Sequence, residues 1–164
     1  IPRNIRNGEY QMWLPVSSGS NQETRFLEPD KEFTLTIPST AENVISAGAY
    51  DVRYQSYADF SGRGDQRYGV KKPDLVAPGV GILAAAPGVG ENSLSGTSMA
   101  TPFVTGSAAL LMEWGIIRKN DPYLYGERIK AYFHKGARKM NGFLDYPNNE
   151  IGYGKLCVAA SLYK

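Results

Sequence analysis

The sequence predicts an α/β fold built on a mainly parallel sheet, and three features predict it. Two apolar runs rich in small residues, NVISAGAY at 43–50 and DLVAPGVGILAAAP at 74–87, have the near-continuous hydrophobicity of strands covered on both faces. From Thr97 to about Ile117 the chain carries Met99, Phe103, Val104, Ala108, Ala109, Leu110, Leu111, Met112 and Trp114. These cover nearly the whole circumference of a helix, as expected for one in the middle of a protein. YLYGERIKAYFHKGARKM at 123–140 spaces Leu124, Ile129, Tyr132 and Phe133 between charges and reads as an amphipathic surface helix.

Taken in order, the opening is expected to be all-β. EYQMWLPV at 9–16 and FTLTI at 33–37 have aromatic and β-branched character with partial alternation, and SSGSNQET lies between them as a loop. The two small-residue runs follow as parallel strands, the second bent at Pro78-Gly79. The central helix, the amphipathic helix and a short apolar stretch, Leu156 to Leu162, complete the pattern, with no internal repeat or low-complexity segment.

The bulk numbers narrow the function classes. With 164 residues and 42% hydrophobic content, a single chain-length core is affordable. The balance of 18 basic and 16 acidic side chains leaves a net charge of +2 with no basic stripe, which disfavours nucleic acid as a partner. A single cysteine, Cys157, excludes an internal disulfide and a cysteine-built zinc site, and reads as a buried thiol. No apolar run is expected to approach the roughly 18 residues of a membrane span, and no charged-then-apolar leader precedes the first strand. The chain begins Ile-Pro-Arg, which suggests a processed product or a piece of something longer.

The chemistry concentrates in SLSGTSMATPF, residues 93–103. Ser98 follows Gly96-Thr97 at the helix start, so its N–H is among the first-turn donors without an intrahelical partner, at the positive end of the helix dipole. Pro102 cannot donate to the Ser98 carbonyl and is expected to limit how far the ladder extends back. A hydroxyl beside a free N–H suits acyl transfer. The plain alternative is that Ser95, Thr97 or Ser98 simply caps the helix. GVGENSLSGTS lacks the lysine of a phosphate-binding loop, and Ser93 stands where a dinucleotide fingerprint needs its third glycine. Ala100 likewise rules out the G-x-S-x-G nucleophile elbow.

GTSMATP with the apolar helix behind it resembles the serine segment of the subtilisin-like serine proteases. NVISAGAYD, YADFSGRG, KPDLVAPGVGIL and IGYGKLCVAASL resemble further segments of that family, in family order, over roughly residues 34–162. The opening EYQMWLP and RFLEPDKEFTLTIPST resembles the Csp-type spore-germination proteases, in which a β jelly-roll is inserted in the catalytic domain. The resemblance implies the C-terminal part of a three-layer α/β/α fold at 39–164, preceded at 1–38 by the tail of the inserted domain.

By the same resemblance, Ser98 is the nucleophile and its N–H an oxyanion donor. Thr97 supports that hole, and Leu94, Ser95 and Gly96 line the substrate cleft, Leu94 and Ser95 on the leaving-group side. Met99 beside Ser98 is a point of oxidative inactivation. The family's triad runs aspartate, histidine, serine in chain order, and only the serine is present. The D-[ST]-G and H-G-T segments and the oxyanion asparagine are absent, and His134 stands on the wrong side of Ser98 to be the base.

The chain alone is therefore expected to be nearly inactive, its partners being a protein or peptide substrate and the N-terminal half of the same protease. Without that half, the sheet is expected to expose a hydrophobic edge. A pseudoprotease or interaction module on the same fold is the alternative. The family often binds calcium, but DYPNNE at 145–150 lacks the glycine and spacing of a calcium loop and reads as a turn. The spore-germination group implies an extracytoplasmic or spore-associated setting and a precursor of a cortex-degrading enzyme as substrate. Arg63-Gly64-Asp65 spells an adhesion tripeptide, which the turn around it already explains.

Overall fold

The computed structural model describes residues 8, 10–14, 24–65, 69, 71–88 and 90–162. The chain forms two compact units, Ile1–Lys31 and Glu32–Lys164. In the first, the described residues form neither helix nor strand, and Tyr10, Met12, Trp13 and Leu14 are exposed. The strand expected at 9–16 is therefore not formed over 10–14, which has no ladder partner among the described residues; Glu9, Pro15 and Val16 lie outside them.

In the second unit, strand β1 (Ala47–Asp51) runs parallel to β3 (Leu75–Pro78), with Ala47 opposite Leu75 and Tyr50 opposite Pro78. The short β2 (Ser56–Tyr57) pairs antiparallel with the end of β1, so the sheet order is β2-β1-β3. β3 alternates faces as a strand must. Leu75 and Ala77 join the core beneath the helices, while Val76 turns to the other face with Tyr50, Met140 and Ile151. This two-sided cover is why the strand reads as a continuous apolar run.

FTLTI does not become a strand. Thr34 N–H donates to Arg63 O at 3.0 Å and Phe33 N–H to Gly64 O at 3.0 Å, but Phe33 has φ 54° and no ladder continues. A left-handed residue at one end and Pro38, without an N–H, just beyond the other leave little strand to extend. The second half of the 74–87 run also departs from expectation. Ile82–Ala85 is β4 and pairs antiparallel with β5 (Glu91–Leu94) in a separate, mostly exposed hairpin. A local partner nine residues away competes successfully with the parallel sheet.

Helix α1 (Thr97–Met112) continues into a π-helical turn at Glu113–Ile117, the span the periodicity predicts. Ala100, Val104, Ser107 and Leu111 form its buried stripe against β1 and β3. Its cover is one-sided. Phe103 is 41% exposed, Leu110 57% and Met112 42%, so the helix expected to be buried all round presents an apolar outer face that no described residue covers. The stretch Thr97–Ile117 is in fact long and apolar enough to cross a membrane by length and composition, correcting the count of apolar runs. Its packing on the sheet is that of a core helix.

Helix α2 (Gly126–Gly136) inserts Ile129 and Phe133 into the same core, and α3 (Val158–Leu162) packs against it. The strand edges are better covered than expected. On β1, the Ala49 carbonyl accepts from Ala58 N–H at 3.2 Å and its N–H donates to Ser61 Oγ at 3.0 Å. On β3, Val76 exchanges bonds of 2.9 Å with Gly154 O and Leu156 N–H. The chain's own loops satisfy backbone groups assigned to a missing neighbour, and the uncovered apolar surface lies on α1 instead.

Candidate active site

The start of α1 is pinned to the C-terminal ends of the parallel strands, where open α/β sheets place their ligands. Gly79, just past β3, donates its N–H to Tyr50 O at 3.1 Å and accepts at its carbonyl from Gly96 N–H at 2.8 Å. A Cβ at Gly79 would stand 2.5 Å from the Ala49 Cβ and 3.0 Å from Gly96 O, so only glycine allows this approach. The hairpin β4-β5 leads directly into the site. Leu94 pairs with Ile82, and Ser95 Oγ accepts the Gly81 N–H at 2.9 Å.

The capping alternative can now be decided residue by residue. The cap position is Gly96, without a side-chain capping bond, and its carbonyl accepts from Met99 N–H at 3.0 Å and Ala100 N–H at 3.4 Å. The Ser95 hydroxyl is committed to Gly81 rather than to the helix. Ser98 is exposed, and among the described residues neither its hydroxyl nor its N–H has a hydrogen-bond partner. No acidic side chain occupies the first turn, so the positive helix end is unopposed there.

Pro102 does not stop the helix, which runs through it to Thr97. It removes the donor that would have met the Ser98 carbonyl. Thr101 and Thr105 hydroxyls donate to the carbonyls of Thr97 and Thr101 at 2.9 and 3.2 Å, reinforcing the turns on either side. Ser98, Thr101, Pro102, Thr105 and Gly106 line an open depression on the outer face of α1. Ser98 and this depression lie on the side of α1 away from its buried stripe.

His134 belongs to a different cluster. Its Nε2 lies 3.2 Å from Asp74 Oδ1, and its ring stacks on Tyr153 with centroids 3.8 Å apart. Asp74 also accepts from Lys72 Nζ at 2.7 Å, from Ser46 N–H at 2.7 Å and from Lys130 Nζ at 3.0 Å. Burial alone would raise the Asp74 carboxyl, but the bonds from His134, Lys72, Ser46 and Lys130 outweigh it and hold it well below the usual carboxylate range. Burial lowers the Lys72 ammonium, against the pull of Asp74. Asp74 precedes β3 while Ser98 sits beyond its far end, so the strand, roughly 13 Å long at about 3.3 Å per residue, separates them. This carboxylate and imidazole are a structural brace.

The remaining motifs resolve similarly. In the Arg63-Gly64-Asp65 tripeptide, Arg63 pairs with Glu150 at 2.8 Å and lies over the Tyr57 ring, while Asp65 is buried. Both charges of the adhesion reading are turned inward, which overturns it. In DYPNNE, Asn148 Oδ1 accepts the N–H groups of Glu150 and Ile151, as an ordinary turn does. Cys157 is half-buried rather than buried. The Ala160 N–H lowers its thiol pKa, with Arg138 assisting and burial opposing.

Sequence reasoning missed the Gly79–Gly96 link and the Asp74 brace. The first had a signal in the glycine after Pro78; the second joins positions too far apart for any local pattern to show.

Known proteins resemble this chain in sequence and in fold. A model of the subtilase family of S8 peptidases matches residues 3–154. The solved structure of the Clostridium perfringens CspB protease superposes with a TM-score of 0.82 at 50% identity, over 88% of this chain and 31% of that one. The prenylagaramide maturation protease PagA gives a TM-score of 0.67 at 33% identity, over 81% of this chain and 46% of that one. Serine protease AprX of Bacillus subtilis is 34% identical over 131 residues, 68% of this chain and 28% of its own length. The chain thus spans less than half of each of these relatives. Its parallel strands, its serine at the head of a core helix and a family match across most of its length make it a member of the subtilase family, of the Csp-like kind.

Proposed function

We propose that this chain is the nucleophile-bearing, C-terminal portion of a subtilisin-like serine endopeptidase. Ser98 Oγ attacks the scissile carbonyl carbon, its proton passes to a histidine outside this chain, and the amine leaves with that proton as the C–N bond breaks. Water then hydrolyses the ester at Ser98. The Ser98 N–H points one donor at the developing oxyanion, Thr97 supports that donor, and Leu94, Ser95 and Gly96 border the bound peptide. An aspartate, the histidine and an oxyanion asparagine come from the N-terminal half of the same protease.

The observation that carries this reading is the unpartnered, exposed Ser98 at one end of an uncovered apolar helix face. A core helix with only one side packed calls for a second body on the other, and that body is the natural source of the base. Residues 1–38 we assign to the tail of an inserted jelly-roll domain. The resemblance to the Csp-type proteases implies a role in spore germination, with a precursor of a cortex-degrading enzyme as substrate, and the likeness to the CspB protease supports that subfamily.

The test is fluorophosphonate labelling with peptide mass spectrometry, on this chain alone and on the complete protease. Modification at Ser98 in the complete protease, abolished by Ser98→Ala and at background in the isolated chain, is expected. No labelling in either would favour the pseudoprotease alternative, and efficient labelling of the isolated chain would mean a base within it.

A further inference from the structure

The turn after β1 carries Arg53 toward Gly81, at the start of the hairpin that leads to Ser98. Asp51 Oδ1 accepts the Arg53 N–H at 2.7 Å and the Tyr54 N–H at 3.4 Å, and Gln55 Nε2 donates to Val52 O at 2.7 Å. These bonds pin the backbone of the 51–55 turn and with it the direction in which Arg53 leaves. Arg53 Nη2 then lies 3.6 Å from where a Cβ on Gly81 would stand. Gly81 in turn donates to Ser95 Oγ at 2.9 Å. Arg53 thus lies beside Gly81, the residue bonded to Ser95, which is expected to border the leaving group.

We propose that Arg53 is a specificity-determining residue that favours substrates with a carboxylate on the leaving-group side of the scissile bond. The inference rests on the reading of Ser98 as nucleophile. Guanidinium groups recognise carboxylates through paired N–H donors, and Arg53 has donors to spare. Among the described residues its one ion pair, to Asp51 Oδ2, is 3.6 Å long, and 70% of its side chain is exposed. Asp51 meanwhile spends Oδ1 on two backbone N–H groups. Lys155 approaches the same turn, with Nζ held by Gln55 Oε1 at 2.6 Å, and adds to the positive field there. A Cβ on Gly81 would stand 3.6 Å from Arg53 Nη2 and 4.0 Å from Ser93 Oγ, so the guanidinium lies close against the start of the hairpin.

Carboxylates from two sources fit, an Asp or Glu side chain or the free C-terminus of a short substrate. The experiment measures kcat/KM of the complete protease on matched fluorogenic peptides with Glu, Gln or Lys at the second and third positions after the scissile bond. A truncated peptide ending there, as free acid and as amide, separates the sources. The expected result is a preference of about two- to fivefold for the carboxylate, the size of an exposed ion pair, shrinking at high salt. It should be retained in Arg53→Lys, lost in Arg53→Gln and inverted toward Lys peptides in Arg53→Glu. A preference confined to the free acid assigns the C-terminus, and one seen in the longer peptides assigns the side chain. Cleavage that depends on Ser98 but shows the same ratio in wild type and Arg53→Gln overturns this inference alone. No cleavage above the Ser98→Ala background overturns the hydrolase reading and this inference with it.

Discussion

At the scale of single residues, the two groups that most resemble catalytic machinery behave in opposite ways. Ser98 is left without partners, while Asp74, 3% exposed at its side chain, is saturated by four donors. Replacing Asp74 with Asn strands Lys72, 9% exposed at its side chain, without its counter-ion. Breaking such a buried pair costs about 3 kcal/mol or more, which urea unfolding of wild type and Asp74→Asn would read. The pH dependence follows from the direction of the shift. The folded-state carboxyl is depressed, so its stabilisation is fully present above the unfolded value of about 3.9 and is lost as pH falls through the lower folded value. The gap between wild type and variant should therefore narrow as pH falls below about 4. A gap that did not narrow there would refute the assignment of Asp74 as the anchor.

At the scale of elements, the decisive join is between strand end and helix start. Gly79→Ala would force a Cβ into Ala49 and against the Gly96 carbonyl, and overpacking of this kind costs about 1–3 kcal/mol. Because Gly96 N–H hangs on the Gly79 carbonyl, the same change should shift the start of α1 and Ser98 with it. The rate of fluorophosphonate labelling in the complete protease is expected to fall by tenfold or more, with the fold retained by circular dichroism; an unchanged rate would show that the link does not position the serine. This join also marks the limit of what the sequence made legible. β1, β3, α1 and α2 could be read because periodicity and unbroken apolarity are local properties. β4 was misassigned because ILAAA looks alike whether it is buried on both faces or lies in an exposed hairpin. Ser98 was visible through its helix start and its motif. What holds it, Gly79 against Ala49 and Gly96, exists only once distant segments meet.

At the scale of the whole molecule, the outer face of α1 governs behaviour in solution. Fully burying a Phe, Leu or Met side chain gains about 1.5–3 kcal/mol each, so leaving Phe103, Leu110 and Met112 about half exposed forgoes a few kcal/mol in all. Surfaces of this kind find partners. In the complete protease the N-terminal half is the proposed cover, and it would bring the catalytic histidine over Ser98 along the same helix. The isolated chain has no such cover and is expected to self-associate through this face. Sedimentation velocity should show concentration-dependent species above the monomer, reduced in Leu110→Glu, whereas charge added at an exposed site away from α1, such as Leu144→Glu, should leave association unchanged. Co-expression with the N-terminal half should suppress association and restore Ser98 labelling together, since one docking event supplies both. A monodisperse monomer, or association that ignores Leu110→Glu, would mean that the apolar face of α1 is not the surface the rest of the protease covers.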